Sequence, residues 1–258
     1  MGARHFGARV KRLEDPALLT GHGRFVDDVK LPGALSACFV RSPHAHAKIR
    51  AIDAAPALAM PGVHAVLTAA DLPEPMRTER IPNLMGNPAV KIMRTQYALA
   101  REEVCYVGEA VAVAIAESRY VAEDAAALVA VDYDVLPAVS DCRAAVKPGA
   151  PRAHSDVEDN VAALVRMEYG DVDAAFAGAP HVFAEEMWLH RGGGMAMETR
   201  AVTASYDPAS DLLTVWSSTQ TPHIGRRMIA ELLGRNLETI RMIAPDVGGG
   251  FGPKAPFY

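Results

Sequence analysis

The stretch "EAVAVAIAESRYVAEDAAALVAVDYDVLPAV" (Glu109–Val139) decides the fold. Its first ten residues, "EAVAVAIAES", form an unbroken run of small and β-branched apolar side chains, as expected of a strand buried on both faces. "RYVAEDAAALVA" is alanine-rich and follows Ser118, a natural N-cap, so a helix is expected there. "VDYDVLPAV" returns to strand character. Strand, helix and strand within thirty residues make an α+β or α/β unit. Working upstream, "ALSACFVRS" (34–42) reads as a strand after the turn-forming "DDVKLPG" (27–33). "GVHAVLTAADLP" (62–73) reads as a strand followed by a short helix that Thr68 begins, with Asp71 three residues on. From Pro73 to Gln96 four prolines and scattered charges point to an excursion over the surface.

Downstream, "DCRAAVKPGAPRAHSDVEDN" (141–160) loses periodicity and gathers Pro, Gly, Asp and Ser, which marks a linker. A second unit is expected beyond it. "HVFAEEMWLH" (181–190) and "AVTASYD" (201–207) read as strands around "RGGGMAMET", and "DPASD" as a turn into the strand "LLTVWSS" (212–218). Thr221 caps a helix with Pro222 at its first position. Ile224, Met228, Ile229, Leu232 and Leu233 share one face of it, and Gly234 stops it. "TIRMIAPDV" (239–247) then reads as a buried strand.

The 258 residues are 50% hydrophobic and 22% charged, with a net charge of −5. That suits an ordinary globular protein of one large or two smaller domains. There is no basic patch interleaved with aromatics, which argues against nucleic-acid binding. Neither a signal peptide nor a membrane span is evident, so a cytoplasmic location is expected. Cys38, Cys105 and Cys142 lie far apart in sequence and form no metal motif, so they are expected to be reduced, buried or inert. His44 and His46 in "SPHAHAKI" share a strand face, but without a nearby carboxylate or third histidine they read as a solvated strand end.

The chain closes on "IAPDVGGGFGPKAPFY" (243–258). Glycines at 248, 249, 250 and 252 imply positive φ or a close approach to the backbone. Two phosphate motifs fail there. A P-loop counted from Gly248 meets Pro253 where its second glycine belongs and Ala255 where its hydroxyl belongs. A dinucleotide fingerprint meets the same Pro253 in place of its third glycine. What remains is a row of backbone N–H groups suited to anionic or oxo groups, with Phe251 as an apolar wall. Taken alone, the run reads as a tight turn between strands.

The surrounding residues add to this. "SSTQTPHIGRRMIAELLGR" (217–235) followed by "IRMIAPDVGGGFGPK" (240–254) closely resembles the molybdenum-binding region of the xanthine dehydrogenase/aldehyde oxidase family, including its carbon monoxide dehydrogenase-like large subunits. "ALLTGHGRFVDDVKLPGALSACFVRSPHAHAKI" (17–49) and "EEVCYVGEAVAVAIAESRYVAEDAAALVAVDYDVLPAV" (102–139) resemble the start and end of that family's hammerhead domain. "MAMETRAVTASYD" (195–207) resembles the lead into its molybdenum domain.

The resemblance implies an α+β architecture: an α/β hammerhead domain over residues 1–140, a linker at 141–160, and at 161–258 the first part of a mixed α/β molybdopterin-binding domain. It implies a molybdenum hydroxylase that hydroxylates a carbon centre or oxidises carbon monoxide, with water as the oxygen source. The cofactor would be molybdopterin, in bacteria often the cytosine dinucleotide, and the partners a [2Fe–2S] subunit and an FAD subunit. Carried over by position, Gln220 matches the glutamine whose amide approaches the molybdenum's oxo group. Gly249, Gly250, Phe251 and Gly252 match the segment that lies against metal and pterin. No direct metal ligand is implied, and Glu109, Glu198 and Glu231 do not match the family's general base. That base and the substrate pocket belong to a long region following the glycine loop. A split or truncated subunit is therefore expected, active only with a polypeptide carrying the C-terminal half, and its residues 240–258 are expected to expose apolar surface. The alternative is a non-catalytic module that docks iron–sulfur and flavin subunits.

Overall fold

The structure is a computed structural model that describes residues 6–82, 89–90, 94–189 and 192–256. Parts of the expected surface excursion (83–88 and 91–93), His190 and the final two residues lie outside these. The fold divides into two units. One comprises the chain up to Pro32, Gly193–Arg227 and the chain from Arg235; the other comprises Gly33–Gly192 with Met228–Gly234.

A single helical turn, α1 (Asp15–Leu19), lies in the discontinuous unit. The Gly33–Gly192 unit holds two small antiparallel sheets. Its elements run β1 (Ser36–Arg41), β2 (Ala47–Asp53), α2 (Ala55–Leu58), β3 (Val63–Thr68), β4 (Glu103–Val104), β5 (Ala110–Ala116), α3 (Arg119–Leu128), β6 (Ala130–Val135), α4 (Cys142–Ala145) and α5 (Val172–Gly178). The strands are ordered β1-β5-β3 and β4-β2-β6. Strand β5 is covered on both sides, as its unbroken apolar run requires: Ala112 and Ala114 join one buried cluster with Ala57, Val66, Ala125 and Val129, while Val111 joins another with Ala47, Ala100 and Val104. Helix α3 packs on β1, β3 and β5 through the fully buried Ala122 and Ala125, whose small side chains allow close approach. Its Ser118 accepts the Val121 N–H at 3.3 Å, as an N-cap should. After β3, a 3-10 turn at Ala69–Asp71 carries the expected cap: Asp71 accepts from both the N–H and the hydroxyl of Thr68 at 2.8 Å.

The segment read as a linker is folded onto this unit. Asn160 ties it together: its Nδ2 donates to the carbonyls of Ala145 and Pro151, and its Oδ1 accepts the Ala153 N–H. His46 departs from the expectation of a solvated strand end, being only 5% exposed. Its ring nitrogens face the Pro137 carbonyl and the Glu103 carboxylate, groups that the fold brings from far along the chain. His44 turns instead edge-on to Tyr133.

The other unit is built on the sheet β7-β8-β9, from β7 (Val202–Asp207), β8 (Leu212–Ser217) and β9 (Ile240–Ile243); α6 (Pro222–Leu232) follows β8 in the chain, its residues up to Arg227 belonging to this unit and those from Met228 to the Gly33–Gly192 unit. β7 and β8 form a hairpin through the expected turn, and β9 runs parallel to β8. The Arg226 guanidinium of α6 donates to the carbonyls of Ile240 and Leu237 at 2.7 Å, fastening the helix to the strand that follows. Gly234, with φ at 59°, ends the helix region in the left-handed conformation that glycine adopts freely. Two expectations fail. "HVFAEEMWLH" is irregular over its described residues and pairs with no described strand. The large apolar patch expected over 240–258 is not seen among its described residues, where Ile240 is 1% exposed and Phe251, at 71%, is the one large apolar side chain that is exposed. Large exposed apolar side chains occur in both units: Met167, Tyr169, Phe183 and Leu189 in the Gly33–Gly192 unit, and Phe6, Leu13, Met195 and Met197 in the other, are each at least 88% exposed. No helix among the described residues is long and apolar enough to cross a membrane.

Candidate functional site

Beyond β9 the backbone is held at Asp246, whose carboxylate accepts the Arg24 N–H at 2.8 Å and whose own N–H donates to the Arg24 carbonyl at 3.0 Å. The glycine run starts two residues later and is fastened from two sides. On one side stands Glu198. A single oxygen of it, Oε2, accepts from Gly248 N–H at 2.7 Å, Ser218 Oγ at 2.6 Å and Lys254 Nζ at 2.8 Å. Burial pushes this carboxyl up, but the Lys254 ammonium, the Ser218 hydroxyl and the Gly248 N–H together hold it below the ordinary carboxylate range. The Lys254 side chain is 3% exposed, so this is a desolvated ion pair rather than a surface one. Oε1 of Glu198 is buried and has no hydrogen-bond partner among the described residues. No side chain fits at Gly248, because a Cβ there would lie 2.4 Å from that of Glu198.

On the other side stands Gln220, between β8 and α6. Its Oε1 accepts the Gly252 N–H at 3.0 Å, and its N–H donates to the Lys254 carbonyl at 3.1 Å. Thr219 Oγ1 donates to the same carbonyl, and Thr221 Oγ1 donates to that of Ala255. The segment 219–221 and the segment 252–255 are thus stitched together. A Cβ on Gly250 would fall 2.4 Å from Cδ of Gln220, so only glycine lets the amide lie flat on the loop. With Oε1 engaged, the NH2 of Gln220 is the donor left over.

Gly249, Phe251 and Gly252 all have positive φ, at 97°, 51° and 95°. For phenylalanine this is strained, and the ring folds back so that a Cβ on Gly249 would meet Cε2 at 2.5 Å. Phe251 is 71% exposed. The N–H groups of Gly249, Gly250 and Phe251 have no acceptor among the described residues. Successive unpartnered N–H groups in a loop without side chains make a concave donor surface for an anionic or oxygen-rich group, so the residues present suit a cofactor of the molybdopterin type.

The structure therefore brings Gln220, Gly249, Gly250, Phe251 and Gly252 to one place. Of the three carboxylates considered from the sequence, Glu198 also belongs here, as the tie of the loop. Glu109 lies in the other unit, where it is buried, accepts the Cys105 N–H at 2.6 Å and is raised by that burial. Glu231 is exposed on α6. The Glu198–Lys254 pair was missed because 56 residues separate its members.

Comparison with known proteins matches residues 20–137 to "Aldehyde oxidase and xanthine dehydrogenase, a/b hammerhead domain" and residues 153–258 to "Molybdopterin cofactor-binding domain". The carbon monoxide dehydrogenase large chain of Afipia carboxidovorans is 41% identical over 265 residues, covering 98% of this chain and 32% of that one. The nicotine 6-hydroxylase large subunit of Paenarthrobacter nicotinovorans is 42% identical over 253 residues, covering 98% and 30%. Among solved structures, quinoline 2-oxidoreductase from Pseudomonas putida 86 superposes with a TM-score of 0.86 at 38% identity, covering 96% and 31%. The chain spans about a third of the length of these relatives.

Proposed function

From the premise that this chain belongs to the aldehyde oxidase and xanthine dehydrogenase family, with its hammerhead domain and part of its molybdopterin-binding domain, we propose that it supplies one wall of the cofactor site of a molybdenum hydroxylase. The division into a hammerhead domain at 1–140, a joining segment at 141–160 and a cofactor domain from 161 is part of this reading. The observation that carries it is the anchoring of the Gln220 amide on the glycine loop, beside three backbone N–H groups with no described acceptor.

When bound, a molybdopterin cofactor supplies two-electron redox chemistry coupled to oxygen transfer from water. The chain's own residues bind and orient. Gly249, Gly250 and Phe251 offer N–H donors to the anionic and oxygen-rich parts of the cofactor, and Gln220 offers its NH2 without adding charge. Phe251 presents a ring that sheds water from this edge, and the Glu198–Lys254 pair keeps the loop in shape. No residue of this chain is assigned the proton transfer of the reaction; that group, the substrate pocket and most pterin contacts come from further polypeptide of the relatives' length. The cytosine dinucleotide form of the cofactor, docking to iron–sulfur and FAD subunits and a cytoplasmic location belong to the same proposal, as does hydroxylation of a small molecule such as an aldehyde or N-heterocycle.

Metal analysis tests it. The 258-residue chain alone is expected to hold little molybdenum, and co-expression with a polypeptide carrying the remainder of a relative's large subunit is expected to give a molybdenum-loaded, active complex. In that complex Gln220→Ala should lower kcat by about tenfold to a hundredfold while leaving molybdenum content near that of the parent. Loss of molybdenum in parallel with activity would make Gln220 a structural residue. Full molybdenum and turnover in the 258-residue chain alone would overturn the shared site.

A further inference from the structure

In the Gly33–Gly192 unit, apart from the glycine loop, three side chains of metal-ligating type converge at the end of the β4-β2-β6 sheet. His46 immediately precedes β2, Glu103 opens β4, and Cys105 follows it; pairing of Ala47 with Val104 brings the three together. One ligand atom from each lies within 4.8 Å of the other two. His46 Nε2 is 3.4 Å from Glu103 Oε2, and Cys105 Sγ is 3.6 Å from Glu103 Oε1.

The tautomer of His46 follows from its other nitrogen. Nδ1 faces the Pro137 carbonyl at 3.2 Å, which can only accept, so Nδ1 carries a proton. In the neutral ring Nε2 then presents a lone pair, and it presents it to a carboxylate. Two acceptors facing each other at that distance need a cation between them, either a proton or a metal ion. The carboxylate is oriented as well: the Ser155 N–H donates to Glu103 Oε1 at 3.1 Å. Outer partners of this kind, a carbonyl behind a histidine and a donor behind a carboxylate, characterise metal sites. A tetrahedral ion with zinc–ligand bonds of about 2.0–2.3 Å spaces its nitrogen, oxygen and sulfur ligands about 3.3–3.7 Å apart; His46 and Cys105 each approach Glu103 at such a distance but at its two different oxygens, so the carboxylate would turn to offer one of them to the ion.

A second observation points to the same place. Glu103 and Cys105 line a cavity of about 500 Å³ together with His154, whose Nδ1 is buried and has no partner among the described residues. The cavity, whose lining also carries Lys48, Arg80, Arg94 and Arg101 beside Glu102, Glu109 and Asp156, reaches Glu103 and Cys105 and gives room there for a water as fourth ligand.

We propose that His46, Glu103 and Cys105 form a site for a divalent ion of zinc type, with a fourth position open to this cavity. The mixed nitrogen, oxygen and sulfur donor set suits zinc and its cobalt substitute and does not suit magnesium or calcium, which prefer oxygen alone.

The test is titration of the chelator-stripped chain with Co2+. One equivalent is expected to give a thiolate-to-cobalt charge-transfer band in the near ultraviolet, displaced by Zn2+. Cys105→Ala should abolish the band, and Cys38→Ala with Cys142→Ala should leave it. His46→Gln should weaken Co2+ binding by about tenfold or more, since even outer partners of metal ligands have effects of that size. Absence of the band in the unsubstituted chain, or its survival in Cys105→Ala, overturns the site and leaves a proton shared between His46 and Glu103. Because the unsubstituted chain gives the deciding result, a poorly folded variant cannot rescue the idea.

Discussion

At the scale of single residues, Glu198 is the point on which the glycine loop depends. Three donors converge on one of its oxygens, and one of them is a buried ammonium. Glu198→Ala leaves that ammonium uncompensated and should destabilise its unit by about 3 kcal/mol, the lower end for breaking a buried pair. Glu198→Gln, which still accepts from Ser218 and Gly248, should have a smaller effect; urea unfolding of both variants measures the difference. Acid should imitate the substitution. The folded carboxyl titrates below its unfolded value, so its stabilisation is complete above the unfolded value and is lost as pH falls through the depressed folded one. The acid limb of a stability–pH profile should therefore flatten in Glu198→Gln. Sequence made Gln220 and the glycines legible, because their spacing carries a recognisable pattern and glycine announces a backbone need. Glu198 was legible only as a carboxylate without a role, since nothing local in "MAMET" points to a lysine 56 positions on. His46 was misjudged for the same reason: its carboxylate and its carbonyl arrive from other elements.

At the scale of elements, local chemistry settled what it controls. Helix α3 begins where Ser118 can accept the Val121 N–H, and Ser118→Ala should lower stability by about 1 kcal/mol, read from the thermal midpoint of the Gly33–Gly192 unit, with Ser118→Asp restoring it. Strand β5 was legible from its apolar run, as was the β7–β8 hairpin from its turn residues. "HVFAEEMWLH" shows where such reading stops. Its apolar side chains suit a strand, yet a strand needs a neighbour for its backbone groups, and no described strand lies beside it. Exposure of Met167, Tyr169, Phe183 and Leu189 in that region predicts that the isolated chain binds a hydrophobic dye. Replacing these four by serine should reduce dye fluorescence severalfold, and unchanged fluorescence would place the apolar surface elsewhere. The sequence had pointed to 240–258 for this surface because it could not show that β9 is already covered by its own unit.

At the scale of the whole molecule, the unit bearing the glycine loop is interrupted: its first part ends at Pro32 and resumes at Gly193. The two parts meet through Arg24 and Asp246, which exchange backbone and side-chain hydrogen bonds across 222 positions. During synthesis the early segment, including Val26 at 1% exposure in the finished protein, must wait on the ribosome for its partner. At about 5–20 residues per second, the intervening stretch takes roughly 8–32 seconds to emerge. The inserted unit has all its strands in hand by then and can close first, while the waiting segment stays open to chaperones and proteases. Nascent chains arrested once Gly192 has cleared the exit tunnel should be cut by protease near Arg24 yet protected over β1 to β6. Protection at both places would mean that the early segment finds a different shelter before its own strand exists.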